Sequence, residues 1–328
     1  MFSVIVPVYR NAEFVPQLIA EFSAINAIVA ERYGMPMEFV FVVDGSPDDS
    51  FELLKTALPQ APFRSQLLLH ARNFGAFAAV RTGLRAAQGD YFATIAADLQ
   101  EPPDLLLRFL DQLVYGDADI AVGVREGRDD PGMSRLAANL FWGFYRRFIV
   151  REIPAGGVDV FGCNRRIRDE LLRMEEANTS LVGLVYWLGF RRSEVPYQRR
   201  ARAHGRSAWT VGKKINYLLD SVFAFTDLPI RVLTILGALG CVVAALLAVF
   251  VVVMRLTGQI AAAGYTTTIV VITFFGALNT LGLGFIGSYA WRSYENTKKR
   301  PLALVRTVRS FDGAPEAVSE LLYTGRSA

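Results

Sequence analysis

The stretch AADLQEPP, residues 96–103, places a carboxylate directly after YFATI, an apolar run that is typical of a buried strand. Ligands of α/β proteins bind beyond the carboxyl ends of strands, and Asp98 stands at such a place. Carboxylate oxygens hold hard divalent ions, which bridge phosphates and neutralise a leaving nucleoside diphosphate. Asp98 and Gln100, with Glu101 beside them, are therefore candidates to hold Mg²⁺ or Mn²⁺. The alternative is a loop carboxylate ahead of a proline turn.

Two other strand ends also carry polar residues. Asp44 ends the run MEFVFVVD and precedes Gly45, which lets a ribose or base approach the backbone; an ordinary Asp-Gly turn is the alternative. The first strand leads into PVYRNAEF, where Pro7, Tyr9 and Glu13 either frame a nucleotide or serve the structure alone.

Positive charge gathers at several points. Arg72 and Asn73 precede a helix N-terminus, whose free N–H groups favour phosphate; the alternative is that Asn73 only caps the helix. The segments VREGRDD and YQRRARAHGRSAW add guanidinium groups that match phosphate geometry, or else form a patch that faces lipid headgroups. Their basic residues are Arg125, Arg128, Arg199, Arg200, Arg202, His204 and Arg206, with Ser207 and Trp209 after them. Asp159, in the Gly-rich GGVDVFGCNRR, says little by itself.

The elements that must position these groups alternate along the first 130 or so residues. Strand-like runs begin near Phe2, Met37, Ser65 and Tyr91, and helix-like segments separate them. This alternation predicts an α/β fold with a mostly parallel, Rossmann-like sheet of a nucleotide-binding type. The tail beyond about Ser310 shows no strong pattern.

Two apolar runs follow this region. Val232–Met254 and, roughly, Thr266–Ala290 carry no charged residue, and each is long enough to span a bilayer; buried core helices are the alternative. Basic residues flank the pair on both sides, which predicts cytoplasmic flanks and an external loop between the spans. The preceding segment, residues 211–231, mixes basic, aromatic and apolar residues, so it either lies at the membrane interface or packs on the domain.

Composition agrees with this organisation. The chain has 328 residues, 52% of them hydrophobic, and a formal net charge of +4, which suits an anionic membrane surface and anionic ligands and does not by itself suggest nucleic acid. Cys163 lies in the domain and Cys241 in an apolar run, so they predict no disulfide framework.

Several motifs occur in one order along the chain. They are PVYRNAE, VDGSPDDS, ARNFGAFAAVRTGLRAAQGD, ADLQEPP, GVREGR, DVFGCNRR, GLVYWLGF and RAHGRSAW, and the two apolar runs follow them. Over about residues 1–300 the chain resembles the polyprenyl-phosphate glycosyltransferases of glycosyltransferase family 2, which include bacterial enzymes similar to dolichol-phosphate-mannose synthase. The single motifs are weak, whereas the ordered set is specific.

The resemblance implies a cytoplasmic GT-A catalytic domain over residues 1–210 and an interfacial region over residues 211–231. It implies a transmembrane hairpin over residues 232–291 and a cytoplasmic tail over residues 292–328, in the inner membrane of a bacterium. The implied reaction is inverting transfer of a sugar from a UDP- or GDP-sugar to undecaprenyl phosphate or a similar polyprenyl phosphate. The product would serve the synthesis or modification of cell-envelope glycans. The resemblance leaves open whether the protein forms a homo-oligomer.

The resemblance also distributes roles. The nucleotide side of the site is expected to use Pro7, Tyr9, Glu13, Asp44, Arg72, Asn73 and Ala97. Asp98 and Gln100 are expected to bind the metal ion and the diphosphate. The acceptor and diphosphate motifs supply Arg125, Arg128, Arg202, Arg206 and Ser207. Ala96, Val43 and Ala208 depart from the family pattern, which usually has Asp, an acidic residue and Lys there; the first departure predicts weaker metal binding.

Two rival functions remain at this point. A non-catalytic membrane scaffold with this fold is suggested by Ala96, although Asp98, Gln100 and Asp44 are retained. A processive glycan synthase with another acceptor usually needs more spans than two.

Overall fold

The computed structural model describes residues 1–126, 143, 145–147, 150, 152–154, 157–176, 179–200, 211–257, 264–313 and 319–321. In its first part, strands and helices alternate as the sequence predicts. The elements are β1 (Phe2–Val8), α1 (Val15–Tyr33, after a 3₁₀ turn at Ala12–Phe14), β2 (Met37–Val43), α2 (Ser50–Ala57), β3 (Arg64–His70), α3 (Ala76–Ala86), β4 (Tyr91–Thr94) and α4 (Asp104–Val114).

The second part is more varied. Its elements are β5 (Ile120–Arg125), β6 (Val158–Asn164), α5 (Arg165–Arg173), α6 (Leu181–Trp187), β7 (Arg192–Tyr197), α7 (Val211–Phe225), α8 (Leu228–Leu256), α9 (Tyr265–Thr297), β8 (Val305–Phe311) and β9 (Ser319–Leu321).

These strands form a single sheet in the order β7-β5-β6-β4-β1-β2-β3-β8-β9. Of these nine described strands, seven run in one direction, while β6 and β8 run against them. The α/β fold with a mostly parallel sheet is thus confirmed. Val8 pairs with Val43, and Val43 pairs with Leu69, so the ends of β1, β2 and β3 come level at one edge of the sheet.

Helices cover both faces of the sheet because their apolar positions recur at helical spacing. On α1, the buried residues are Val15, Leu18, Phe22, Ile25 and Val29, a stripe that packs on the sheet. The ring of Phe22 stacks on that of Phe39 with centroids 4.5 Å apart. Full burial of each such side chain contributes about 1.5–3 kcal/mol. On the opposite face, Gly83 of α3 lies so close to the sheet that a Cβ would come within 2.4 Å of Ile5 Cγ2.

The long helices α8 and α9 cover the two apolar runs of the sequence. They have 29 and 33 residues, which corresponds to lengths of about 44 and 50 Å. They pack at small residues, since a Cβ on Gly282 would lie 3.1 Å from Leu233 Cδ1. Large apolar side chains such as Ile235, Leu246 and Leu283 are exposed.

Within the described residues, one helix is long and apolar enough to cross a membrane, Ala12–Tyr33. It buries its apolar stripe against the sheet, as a core helix does. The pair Asn216–Phe225 and Leu228–Gly240 also passes this test as a single broken span, with a bend of 78°.

The chain returns from α9 to the sheet. Strand β8 pairs antiparallel with β3, with Leu67 opposite Arg309, and covers an edge that would otherwise lie open. This strand lies within the segment that the sequence suggests to be a tail. Its residues VRTVRSF do not alternate strictly, so sequence periodicity gives a weak strand signal there.

Helix α7 packs on the domain through one face. Tyr217 and Ser180 place their hydroxyl oxygens 2.6 Å apart, and Gly183 leaves room for the ring of Phe225. Leu219 is exposed on the same helix. On the side of the long helices, Arg292 of α9 forms an ion pair of 2.7 Å with Asp220. Helix α7 thus has one face on the domain and another face exposed, and the interfacial position of residues 211–231 stays a prediction.

Candidate active site

Asp44 lies at the end of β2 and is buried. Its Oδ1 accepts hydrogen bonds from His70 Nδ1 and from the Phe74 amide, both at 2.8 Å, and its Oδ2 accepts from the Gly75 amide at 2.7 Å. The His70 Nε2 atom lies 3.0 Å from the Thr82 hydroxyl. Asp44 thus holds the loop between β3 and α3 against the end of β2, which an ordinary Asp-Gly turn would not do.

The same loop carries the predicted phosphate-binding pair. Arg72 and Asn73 are both exposed, and the Arg72 guanidinium lies 4.2 Å from the centroid of the Phe74 ring. The N-cap of α3 is Gly75, with φ +98°, so Asn73 does not cap this helix. A Cβ on Gly45 would come within 2.3 Å of the Arg72 carbonyl carbon, so glycine is required where the two loops meet.

The loops after β1 and β2 are joined by Asp48, which sequence reasoning missed. The Asp48 carboxylate accepts from Ser46 Oγ, Ser50 Oγ and the Ala12 amide, and the Arg10 amide donates to Ser46 Oγ. Burial raises the pKa of Asp48, but these hydrogen bonds outweigh it and lower the pKa below its ordinary value. The signal was present in SPDDS, since Ser and Asp favour such turns.

The predicted nucleotide residues of the first strand lie beside this junction. Pro7 and Tyr9 are half-buried and Glu13 is exposed. The Tyr9 amide donates to Asn11 Oδ1 at 3.0 Å, which shapes the turn that follows β1.

The loop after β4 is the centre of the candidate site. Ala97, Asp98 and Leu99 are buried, with 8% of Asp98 exposed, and Leu99 adopts a left-handed φ of +53°. The Gln100 amide donates to Asp98 Oδ1 at 3.3 Å, a turn that orients the carboxylate.

Gln100 contacts the chain that leaves β7. Its Oε1 accepts from the Arg199 guanidinium at 2.6 Å, and its carbonyl oxygen accepts from the Arg200 amide at 2.8 Å. The Arg200 side chain in turn donates to Glu21 of α1 at 3.0 Å. The two motifs that the sequence separates by about a hundred residues are therefore adjacent.

Glu101 is a buried carboxylate at the base of this loop, with 2% of its surface exposed. Burial raises its pKa to about 7; the Arg199 guanidinium opposes this rise, whereas Asp159 and Asp98 add to it. The carboxylate accepts from the Ala96 amide at 3.4 Å and lies 3.9 Å from Arg199 Nε.

Arg125 stands at the end of β5, where it forms an ion pair with Asp159. The Tyr197 hydroxyl donates to Asp159 Oδ2 at 3.3 Å. Burial lowers the pKa of Arg125, but the charge of Asp159 and the interactions with Tyr197 together outweigh it and raise this pKa. Arg125 is thus held in its charged form near Glu101. Arg128, Arg202, Arg206 and Ser207 lie outside the described residues.

The side chains at this edge supply few metal ligands. Among the described residues, no group of three or more His, Cys, Asp or Glu side chains could hold a metal ion. Asp98 offers a hard carboxylate, while the Gln100 side-chain oxygen is engaged by Arg199. This donor set fits an ion that takes most of its ligands from a bound diphosphate, in keeping with Ala96 where the family usually has Asp.

Solved structures resemble the chain distantly. Glucosyl-3-phosphoglycerate synthase from Mycobacterium tuberculosis, in complex with UDP, is 15% identical, covers 68% of this chain and 79% of its own, and gives a TM-score of 0.44. Mannosyl-3-phosphoglycerate synthase from Rubrobacter xylanophilus is 17% identical. The match covers 62% of this chain and 67% of that chain, with a TM-score of 0.41.

Sequence relatives match nearly the whole chain. An uncharacterized glycosyltransferase of Synechocystis sp. is 29% identical over 314 residues, which are 95% of this chain and 97% of that protein. The undecaprenyl-phosphate 4-deoxy-4-formamido-L-arabinose transferase of Salmonella paratyphi A is 31% identical over 314 residues, 93% of each chain. The family model for glycosyl transferase family 2 matches residues 3–174, more than half of the chain. The chain therefore belongs to glycosyl transferase family 2 and is a glycosyltransferase.

Proposed function

We propose that this enzyme transfers a sugar, with inversion, from a nucleotide-sugar donor to polyprenyl phosphate at the cytoplasmic face of a bacterial inner membrane. The observation that carries the proposal is the match to undecaprenyl-phosphate sugar transferases, which covers 93% of each chain and so includes both the domain and the long helices. The donor is a UDP- or GDP-sugar, and the product is a lipid-linked sugar for the cell envelope.

The helices α8 and α9 support a membrane hairpin. Their length exceeds the hydrocarbon thickness of a bilayer, about 30 Å, and their exposed apolar side chains would face lipid. After α9 the chain adds β8 to the sheet, which supports the proposal that both ends of the hairpin lie on one side of the membrane. Basic residues at these ends, among them Arg231 and Arg292, favour the cytoplasmic side.

The acceptor supplies its own nucleophile. A phosphate monoester has a second pKa of about 6, so it is largely dianionic at neutral pH and needs little help from a base. One of its oxygens bonds to the anomeric carbon of the sugar while the bond from that carbon to the nucleoside diphosphate breaks. The diphosphate leaves with the electron pair.

The task of the protein is to hold two anions together. Arg125, kept charged by Asp159, and the predicted Arg128, Arg202 and Arg206 supply positive charge. Asp98 would hold a divalent ion together with the donor phosphates, and such an ion would neutralise charge on the leaving diphosphate. Ser207 is proposed to bind on the acceptor side.

The nucleotide is proposed to lie at the ends of β1, β2 and β3. Pro7, Tyr9, Glu13 and Ala97 border this region, and Arg72 and Asn73 present exposed polar groups at the start of α3. Asp44 supports the nucleotide by holding the loop that carries Arg72 and Asn73.

The test is a donor screen on purified protein in detergent, with short-chain polyprenyl phosphate and UDP- and GDP-sugars, read by mass spectrometry of the glycolipid. We expect one donor class to give a lipid-linked sugar in an Mg²⁺- or Mn²⁺-dependent reaction. A protein that gives no glycolipid, and whose thermal unfolding does not respond to UDP or GDP with Mn²⁺, would instead be the scaffold suggested by Ala96.

A further inference from the structure

The segment that leaves β7 is attached to the loop after β4 by two hydrogen bonds to the main chain of Arg200. The Arg200 amide donates to the Gln100 carbonyl at 2.8 Å, and the Gln100 side-chain amide donates to the Arg200 carbonyl at 3.4 Å. Both groups of the Arg200 backbone are therefore engaged by a single residue. We call Gln100, Glu101, Arg199 and Arg200 the loop clasp.

Charged side chains reinforce the loop clasp. The Arg199 guanidinium bonds to Gln100 Oε1 at 2.6 Å and lies 3.9 Å from Glu101 Oε1. A carboxylate as deeply buried as Glu101 costs free energy unless it is paired, so Arg199 stabilises its ionised form. Arg200 is held from the other side by Glu21, which fixes the segment against α1.

The loop clasp lies between the two halves of the proposed chemistry. Asp98 precedes Gln100 by two residues, and the Gln100 amide bonds to its carboxylate. Arg202 follows Arg200 by two residues, so the chain alone keeps their Cα atoms within about 7 Å. A displacement of Arg200 therefore moves both the proposed diphosphate loop and the start of the proposed acceptor loop.

We propose that Gln100 and Glu101 are positioning residues that join the donor-diphosphate loop to the acceptor-binding loop, so that the two anions are set at one distance. This inference rests on the proposed function and deepens it. It assigns the Gln100 side chain to Arg199 and the Arg200 backbone, and leaves Asp98 as the protein ligand of any ion.

The kinetic test uses Glu101→Gln, Arg199→Gln and the double variant, with Glu38→Gln as the matched control. Glu38 is a buried carboxylate at the opposite end of the strands, far from the loop clasp. We expect each single variant to lower kcat about 10- to 100-fold and to raise the acceptor KM more than the donor KM, because small displacements of reacting groups have effects of this size. The double variant should be no worse than Arg199→Gln, since that variant already removes the contact with Glu101.

Glu38→Gln should lower thermal stability and leave kcat and both KM values at their wild-type levels. If the Glu101 and Arg199 variants lose stability but keep the wild-type kcat and both KM values, or if their effects simply add, the positioning role is overturned.

A second measurement does not depend on activity. Hydrogen exchange of the free protein should show faster exchange at the Arg200 amide in Glu101→Gln and in Gln100→Ala, by about 10-fold or more, and unchanged exchange there in Glu38→Gln. Unchanged exchange at the Arg200 amide in both Glu101→Gln and Gln100→Ala would refute the loop clasp. A wild-type protein that forms no glycolipid but shows this exchange pattern would refute the proposed function and leave the loop clasp standing.

Discussion

The two ends of the parallel strands carry buried carboxylates in different surroundings. At the amino end, Glu38 is fully buried and accepts from Ser3 Oγ at 2.7 Å, Gln66 Nε2 at 2.8 Å and the Gln88 amide at 2.9 Å. All three donors are uncharged. At the carboxyl end, Asp44 also accepts three hydrogen bonds, but the guanidinium groups of Arg199 and Arg125 lie near the buried Glu101.

A buried carboxylate whose hydrogen bonds are all satisfied is therefore not by itself evidence of a functional site. Glu38 closes a network and stabilises the fold at that end of the sheet. At the other end, Arg125 pairs with Asp159 and Arg199 pairs with Glu101. These charged pairs lie at the end of a strand and in a loop after a strand, which is where ligands of α/β proteins bind.

Replacement of Asp98 should have the largest effect on catalysis. We expect Asp98→Asn to lower kcat about 10²- to 10³-fold, because the carboxylate that would hold the divalent ion against the leaving diphosphate is lost, while the thermal midpoint stays close to wild type. Initial rates of glycolipid formation measure the change. A variant that transfers sugar at the wild-type rate would show that Asp98 has no central role.

Removal of Glu38 should have the largest effect on stability. Glu38→Ala leaves the Ser3, Gln66 and Gln88 donors without their acceptor, which should lower the free energy of unfolding by about 3 kcal/mol. Chemical denaturation measures it. The folded fraction should retain the wild-type KM values; a changed donor KM would contradict the division between the two ends.

Two glycines with left-handed φ offer a matched pair. Gly45, at the carboxyl end, has φ +57°, and a Cβ there would meet the Arg72 backbone; Gly34, at the amino end, has φ +61° and nothing within 4 Å of such a Cβ. Gly34→Ala should cost about 1 kcal/mol in backbone strain. Gly45→Ala should cost more and should also weaken nucleotide binding, as isothermal titration would show; equal effects would mean that the loop contact is unimportant.

Arg202 tests the acceptor side. Arg202→Ala should raise the acceptor KM about 10-fold, the effect of losing a hydrogen bond to a charged group, and should change the donor KM less. Arg32→Ala is the control, since Arg32 pairs with Asp111 between α1 and α4. Equal changes in both KM values would argue against an acceptor role.

The smallest effect concerns pH. Because the pKa of Asp48 is lowered below its ordinary value of 3.8, its contribution to stability is present above that value and is lost as pH falls through the folded pKa. The stability difference between wild type and Asp48→Asn should be constant from pH 7 to 5 and shrink below about pH 4. Asp90 is exposed and forms ion pairs with the Met1 amino group and Arg165 at the amino end. Its contribution to stability should therefore decrease as salt is added. If added salt also weakened the contribution of Asp48 to stability, the expected difference between Asp48 and Asp90 would be refuted.

Local patterns in the sequence predict much of this molecule. Apolar runs and helical periodicity identify β1 to β4 and α1 to α3, and the position of Asp44 and Asp98 after strand ends follows directly. The apolar runs within α8 and α9 are also visible, because each is a continuous stretch of neighbouring residues in the chain.

The tertiary structure alone decides which loops meet. Gln100 and Arg200, a hundred residues apart, become partners because the sheet order brings the chain after β7 across the loop after β4. The inward bonds of Asp44 and the addition of β8 to β3 arise in the same way. Periodicity records whether a residue is buried, whereas its partner depends on strand register and order, which no local pattern specifies.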